Sequence, residues 1–439
     1  MDMKTSQRTA DSFAGTTFYP DRGPSVDDMP WCTSHADVDH VFRSRDWEQG
    51  GGGARDSKQF IGDGLLALSG ADHFQRRRIE AVLFRKPNLR HYEDDVLLPV
   101  LRQRLEAVRG HAAENRHARV ELRSLMRSCL YRVSAAFVGL DGVDDSVLDQ
   151  YFELIEELGI GTNMEWVVSD HRKAMQRALV YKASFMERFF QPSWARRADL
   201  VARFQRGEIT EDELPLDLIT VMIRNFNHFQ RWAPDVYAAE ALLFHGGPVN
   251  SVANAIPHTV AELSRWLIDH PGHDAALTDP AFLRLCCNEA LRLHPPTPFF
   301  IRRAVRDTTL PSGLAVSARD YIVLDIVAAS RDVAAFGGDA DRFNPYRARS
   351  KGVKSTGIAF GGGVHTCIAM GMTIGDSSEN KDDATEPVGL MVSCLRELYQ
   401  RGMRPDSVNA PEKSNVNVRD EYESYWVTFE ANECLRPCC

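Results

Sequence analysis

A run of glycines that ends on a cysteine limits what this chain can fold into more than any other stretch: Phe360-Gly361-Gly362-Gly363-Val364-His365-Thr366-Cys367-Ile368-Ala369. Without a Cβ, glycine lets backbone amides come close to a bound group. A thiolate among such amides accepts several N–H bonds, which lower its pKa and spread its charge. A permanently metal-bound sulfur needs that environment, and haem iron can take a single cysteine thiolate as its axial ligand. A buried structural cysteine in a glycine loop would read the same way, so the rest of the chain has to decide.

The run has the form Phe-Gly-x-Gly-x-His-x-Cys-x-Ala. Upstream, Asn288-Glu289-Ala290-Leu291-Arg292 supplies Glu-x-x-Arg, and Ala329-Ser330-Arg331-Asp332 and Asp341-Arg342-Phe343-Asn344-Pro345 lie between the two. His73-Phe74-Gln75-Arg76-Arg77 supplies His-x-x-x-Arg, and Arg302-Arg303-Ala304-Val305-Arg306-Asp307 supplies Arg-x-Ala-x-x-Asp. In this order the motifs resemble the cytochrome P450 superfamily of haem-thiolate monooxygenases, bacterial soluble type, from roughly Pro30 to Val427. The resemblance implies a mainly α fold with a small β region and haem b between a long central helix and the cysteine loop. Cys367 would be the proximal ligand, framed by Phe360, Gly361 and Gly363, with His73, Arg77, Arg302 and His365 toward the propionates. Glu289, Arg292 and Arg342 would form a structural ion triad, while Arg76 and Arg78 read as a solvated basic face.

A length of 439 residues would ordinarily suggest two domains. The family is an exception, so the reading is one catalytic domain over 31–430 after a polar segment 1–30, with a polar insertion at 375–387 and a tail at 431–439. A formal charge of −9 argues against nucleic acid as the main partner. With no apolar run of membrane-spanning length and no signal-like N-terminus, the expectation is a cytoplasmic protein free of the membrane. The nine cysteines then read as reduced thiols, with Cys434, Cys438 and Cys439 in a disordered tail. Gly50 to Gly53 reads as a flexible loop, since no P-loop lysine follows.

Helical periodicity predicts helices over Asp37–Arg45, Val120–Leu140, Asp145–Leu158, Asp170–Phe190, Leu216–Arg224, Asp235–Asp269, Ala281–Leu293 and Val388–Arg401. Pro192 and Arg196-Arg197 are expected to break the chain. Strands are expected over Ile301–Ala304, Leu314–Ser317, Tyr321–Leu324 and Ser424–Phe429.

The long segment departs from the family, which places an acid and an alcohol where protons are delivered. Aligning Gly246-Gly247 on the family's small pair puts Val249 and Asn250 there; counting back from Glu289 puts Ala253 and Asn254 there. The second alignment is preferred, because Asn254-Ala255-Ile256-Pro257 resembles the Asn-Thr-Ile-Pro run of the sterol 7-alpha-hydroxylase and prostacyclin synthase branch. Pro257 would then kink the helix and free the Ala253 carbonyl. An amide orders a water but does not shuttle a proton as an acid does. The substrate pocket is assigned to Leu66, Leu243, Gly247, Asn250, Phe299 and Phe300, with part of Val416 to Tyr425.

The resemblance implies a monooxygenase acting on a small or medium-sized apolar molecule, in bacterial secondary metabolism or catabolism. An external ferredoxin or flavodoxin with its reductase would supply electrons. The acidic 375–387 insertion, close after Cys367, would repel an acidic donor. Two alternatives stay open: a reductase-independent isomerase, dehydratase or peroxygenase, and a haem-binding sensor or carrier without turnover.

Overall fold

Asp235–Asp269 forms one unbroken α-helix of 35 residues, with the boundaries its sequence predicts. At 1.5 Å per residue it is about 52 Å long, enough to cross a domain. Residues on every side of it are buried, among them the consecutive Val252, Ala253, Asn254, Ala255 and Ile256, which marks a helix enclosed by others. Its main neighbour is the helix Leu122–Val138, which stops at Gly139 in a left-handed conformation (φ 90°). The computed structural model describes residues 26–51, 57–62, 64–115, 117–168, 170–232, 235–375 and 387–430. Most of the N-terminal segment, the core of the 375–387 insertion and the cysteine tail lie outside them. No helix among the described residues is long and apolar enough to cross a membrane.

The sequence misplaces two elements. Val120 pairs with Val427 in a strand, His117–Glu121, instead of opening the following helix. Gln191–Gln205 is a helix where a break was expected. The chain enters it directly from a π-helical turn, Met186–Phe190, and Pro192 sits at that irregular junction, while Arg197 is tied to Asp217 at 2.9 Å.

A four-stranded sheet lies beside the helices in the order Trp31–Cys32, Tyr321–Asp325, Phe299–Ala304, Trp47–Gln49. Strand alternation puts Phe299 and Ile301 on one face, packed with Val26, Met29 and Val323. Phe300 and Ala304 turn the other way, onto Val38 and Phe42 of the helix His35–Arg43. Gly50 extends the sheet, donating from its backbone to Ile301 at 3.1 Å, so the start of the glycine run is anchored.

The cysteine loop is fixed from behind by that same short helix. Gly363 has φ 60°, and a Cβ there would sit 1.9 Å from the Phe42 carbonyl oxygen. The glycine therefore serves a backbone-to-backbone approach to the helix end, not to a bound group.

Arg76 is fully buried, which corrects the reading of a solvated face. It pairs with Glu240 on the central helix and lies 4.4 Å from the centre of the Phe229 ring. Glu80 is also fully buried beside Glu240, and burial together with the neighbouring carboxylate holds its carboxyl well above the usual range.

The ion triad forms with a different third member. Glu289 accepts from Arg292 Nε at 2.8 Å and Nη2 at 2.7 Å, from Arg347 Nε at 2.8 Å and from the Asn344 backbone at 3.1 Å. Arg342 is exposed and contributes only its carbonyl, which accepts from Arg347 at 2.6 Å. The chain turns at Asn344-Pro345, which brings Arg347 inward and leaves Arg342 outside. Arg347→Ala is expected to destabilise the protein by about 3–5 kcal/mol, because a buried carboxylate loses one of its two arginines. Arg342→Ala should stay within about 0.5 kcal/mol, as surface changes usually do. Urea unfolding of the two variants checks both values.

Candidate functional site

Cys367 closes its loop by donating from its backbone to the Phe360 carbonyl at 2.8 Å. Its side chain is uncovered, but toward an internal cavity of about 340 Å³ and not the outer surface. Burial pushes the thiol above its ordinary value, while the Ala369 backbone N–H and the Arg77 charge act the other way. Phe360, Gly361, His365, Ile368 and Ala369 line the same side of the cavity. Gly363 does not; it is turned toward Phe42.

Four basic side chains gather here. His73 and His365 pack ring on ring, with centres 4.0 Å apart. Arg77 donates to the Thr366 carbonyl at 2.6 Å. Arg302 is buried between Phe42 and Phe300, 5.2 and 5.3 Å from their ring centres. Among the described residues its guanidinium donates to the neighbouring Ile301 carbonyl at 3.0 Å, and burial lowers its pKa to about 10. Burial and the Arg77 charge lower His73 to about 4. Burial first, then His73, Arg302 and Arg77, lower His365 to about 3. Among the described residues no carboxylate is within ion-pair distance of Arg77 or Arg302. Buried cations without counter-charges are costly, so this donor set calls for an anionic group beside a free thiol. A haem, with one axial position and two carboxylates, fits it.

Across the cavity the central helix presents Leu243, Gly246, Gly247, Asn250 and Ser251. Ala253 and Asn254 are not among the lining residues. Ala253 packs in the core, and Asn254 donates from Nδ2 to the Asp420 carbonyl at 3.2 Å. The preferred alignment is therefore corrected: Asn250 faces the cavity, and Val249, at the acid's position, is buried. The helix is continuous through Pro257. Leu66, Phe299 and Phe300 also line the cavity, as assigned from sequence.

The profile of the family described as Cytochrome P450 matches residues 260–376, which hold the Glu289 helix, the Arg347 turn and the cysteine loop. Over residues 260–376 the chain matches the cytochrome P450 superfamily. It is 36% identical over 97 residues to the Cytochrome P450 monooxygenase fsdH of Fusarium heterosporum, a match covering 20% of this chain and 17% of that protein. Against the Cytochrome P450 monooxygenase sphH of Aspergillus fumigatus it is 24% identical over 362 residues, 71% of this chain and 64% of that one. The matched stretches thus fall short of two thirds of either relative. The structure of P450BioI in complex with a hexadec-9Z-enoic acid ligated Acyl Carrier Protein shares the fold over 98% of this chain and 100% of that one, with a TM-score of 0.68 and 17% identity.

The residues around the Asp420 carbonyl that Asn254 bonds form a polar knot. His294 bonds Glu262 at 2.9 Å through Nε2 and Asp420 at 2.7 Å through Nδ1. His258 stacks on His294 at 4.2 Å and bonds the Asp420 carbonyl at 2.7 Å, and Lys413 reaches Asp420 at 2.6 Å. His258, His294 and Asp420 have ligand atoms within 4.8 Å of one another, but His294 already has a carboxylate on each ring nitrogen. The knot ties the central helix and the Glu289 helix to the hairpin Glu412–Ser424.

Sequence reading also missed Thr162, Asn163, Glu165 and Trp166 on the cavity wall. They lie at and just past the end of the helix Leu148–Thr162, where its period fades, so no pattern marks them. Arg419 falls within the flagged stretch Val416 to Tyr425 but was not singled out.

His294, His258 and Lys413 hold the Asp420 carboxyl below its usual value against burial, the largest opposing influence. A depressed folded-state pKa gives stability that is present above the unfolded pKa of about 4 and lost as pH falls below it. The stability gap between wild type and Asp420→Asn should therefore be widest near neutrality and close in acid. Chemical denaturation at several pH values reads this, and a gap that widens on acidification contradicts it.

Proposed function

We propose that the chain is a haem-thiolate monooxygenase that oxidises an apolar organic molecule with dioxygen and two electrons from an external ferredoxin or flavodoxin with its reductase. The carrying observation is Cys367, open to a cavity beside two histidines and two arginines, with no carboxylate among the described residues within ion-pair distance of Arg77 or Arg302. Cys367 would hold iron protoporphyrin IX, and Arg77, Arg302, His73 and His365 its carboxylates. Thiolate-bound haem iron supplies the electron push that favours O–O cleavage. On this reading residues 31–430 are one catalytic unit, working in the cytoplasm.

The chain's own groups set how a proton reaches the reacting face. Asn250 offers an amide that can donate a hydrogen bond and position a water, and Ser251 offers a hydroxyl. Among the described lining residues the one carboxylate is Glu165. It accepts from Ser57 Oγ at 2.6 Å and from the Ser57 backbone at 3.2 Å. That lack of a free acid favours a second reading, a reductase-independent isomerase, dehydratase or peroxygenase. Reductant consumption with surrogate donors separates the two.

Cys367→Ser is expected to remove the long-wavelength, thiolate-specific absorption of the reduced protein with carbon monoxide; its persistence would refute the assignment. If the protein is a monooxygenase, Asn250→Ala should divert more reducing equivalents to peroxide while Asn254→Ala does not. Peroxide yield per reductant oxidised measures this, and the reverse ranking would put Asn254 back at the reacting face.

A further inference from the structure

Arg419 lines the same cavity and belongs to a different charged group from the four basic residues near Cys367. Only 9% of it is exposed, and burial lowers its pKa. Its Nε donates to the Pro296 carbonyl at 2.8 Å, and its guanidinium lies 5.4 Å from the centre of the Trp166 ring. Those two contacts fix the plane of the fork. They leave Nη1 and Nη2 with no protein hydrogen bond among the described residues, and no carboxylate within ion-pair distance. Glu165, the lining acid, is engaged by Ser57. The charges that bear on Arg419 are Glu421 and Arg123, whereas those that bear on His365 are His73, Arg302 and Arg77. Arg419 therefore stands apart from the set that suits a haem's carboxylates.

A planar, buried fork with two free donor groups matches a carboxylate, which it can bind in bidentate fashion. The wall between is apolar, formed by Ile61, Leu65, Leu243, Phe137 and Phe299. We propose that Arg419 anchors the carboxylate of an amphipathic substrate whose apolar body lies along this wall toward Cys367. The knot around Asp420, the next residue, holds the anchor in place through the hairpin it shares with Arg419. This assignment rests on the haem-thiolate reading for the end of the cavity at which the substrate reacts.

The test compares dodecanoate with dodecan-1-ol on the haem-loaded protein at about pH 8, where the acid is ionised. Calorimetry gives both affinities, and haem content and the reduced carbon monoxide spectrum are recorded on the same samples. Wild type should bind dodecanoate about tenfold or more tightly than the alcohol, the scale of one charge-assisted bidentate contact. Arg419→Gln should bring the two affinities to within about threefold by weakening the acid alone. Arg419→Met, which keeps the stack on Trp166, serves if the glutamine variant does not fold. Equal affinities in wild type, or a preference for the acid that survives both substitutions, would overturn the proposal. So would loss of haem in Arg419→Gln, which would move Arg419 into the group that holds the cofactor. A wild-type protein that takes up no haem fails the proposed function instead, and the spectrum distinguishes that case.

Discussion

The carboxylate of Glu289 is the constraint on which the cysteine loop depends. It is buried and receives two arginines and a backbone amide, so it behaves as a fixed node and not as a surface pair. Arg292 carries the constraint onward, donating to the Ser330 carbonyl at 2.7 Å and the Ala340 carbonyl at 2.6 Å. Ser330 Oγ then accepts from the Ile358 backbone at 3.3 Å, and two residues later the chain reaches Phe360, whose carbonyl is bonded by Cys367. Four contacts thus lead from one acid to the backbone of Cys367. A charged network placed where a hydrophobic core could have stood gives no stability advantage by itself. What it gives here is direction, because hydrogen bonds fix angles that apolar packing leaves loose.

Much of this was legible in the chain. The central helix announces itself by length and period, and the cysteine loop by its residue types. What failed were choices between near neighbours. Asn250 and Asn254 are four residues apart and share a helix face, so periodicity cannot separate them. Only the point at which the helix meets the cavity does so, and that is set by its packing against other helices. Arg342 and Arg347 flank Asn344-Pro345, and the side of a turn that faces inward is a tertiary fact. Arg76 looked exposed because it sits among arginines; its partner Glu240 lies 164 residues away.

The cavity is polarised along its length. Around Cys367 the basic groups are crowded, desolvated and mutually repulsive, and the histidines are driven neutral. Elsewhere on the wall stands Arg419, desolvated beside Trp166 and influenced by Glu421 and Arg123. Low-polarity walls strengthen each of these charges toward whatever binds, so selectivity for anionic groups is built into the scaffold before any ligand arrives. Outside the cavity, Arg76 pairs with Glu240, while burial and the neighbouring Glu240 hold the Glu80 carboxyl well above its ordinary value.

The approach of Gly363 to the Phe42 carbonyl has a consequence for how this site can diversify. The gap behind the sulfur loop is set by main chain against main chain, and main chain does not vary when a codon does. No small change of side chain can widen or narrow it; a substitution either keeps glycine or breaks the contact. The freedom to tune the sulfur therefore lies on the cavity side, with residues such as Arg77 that act on it through space. The rear of the site is a fixed frame, and inheritable variation is confined to its front.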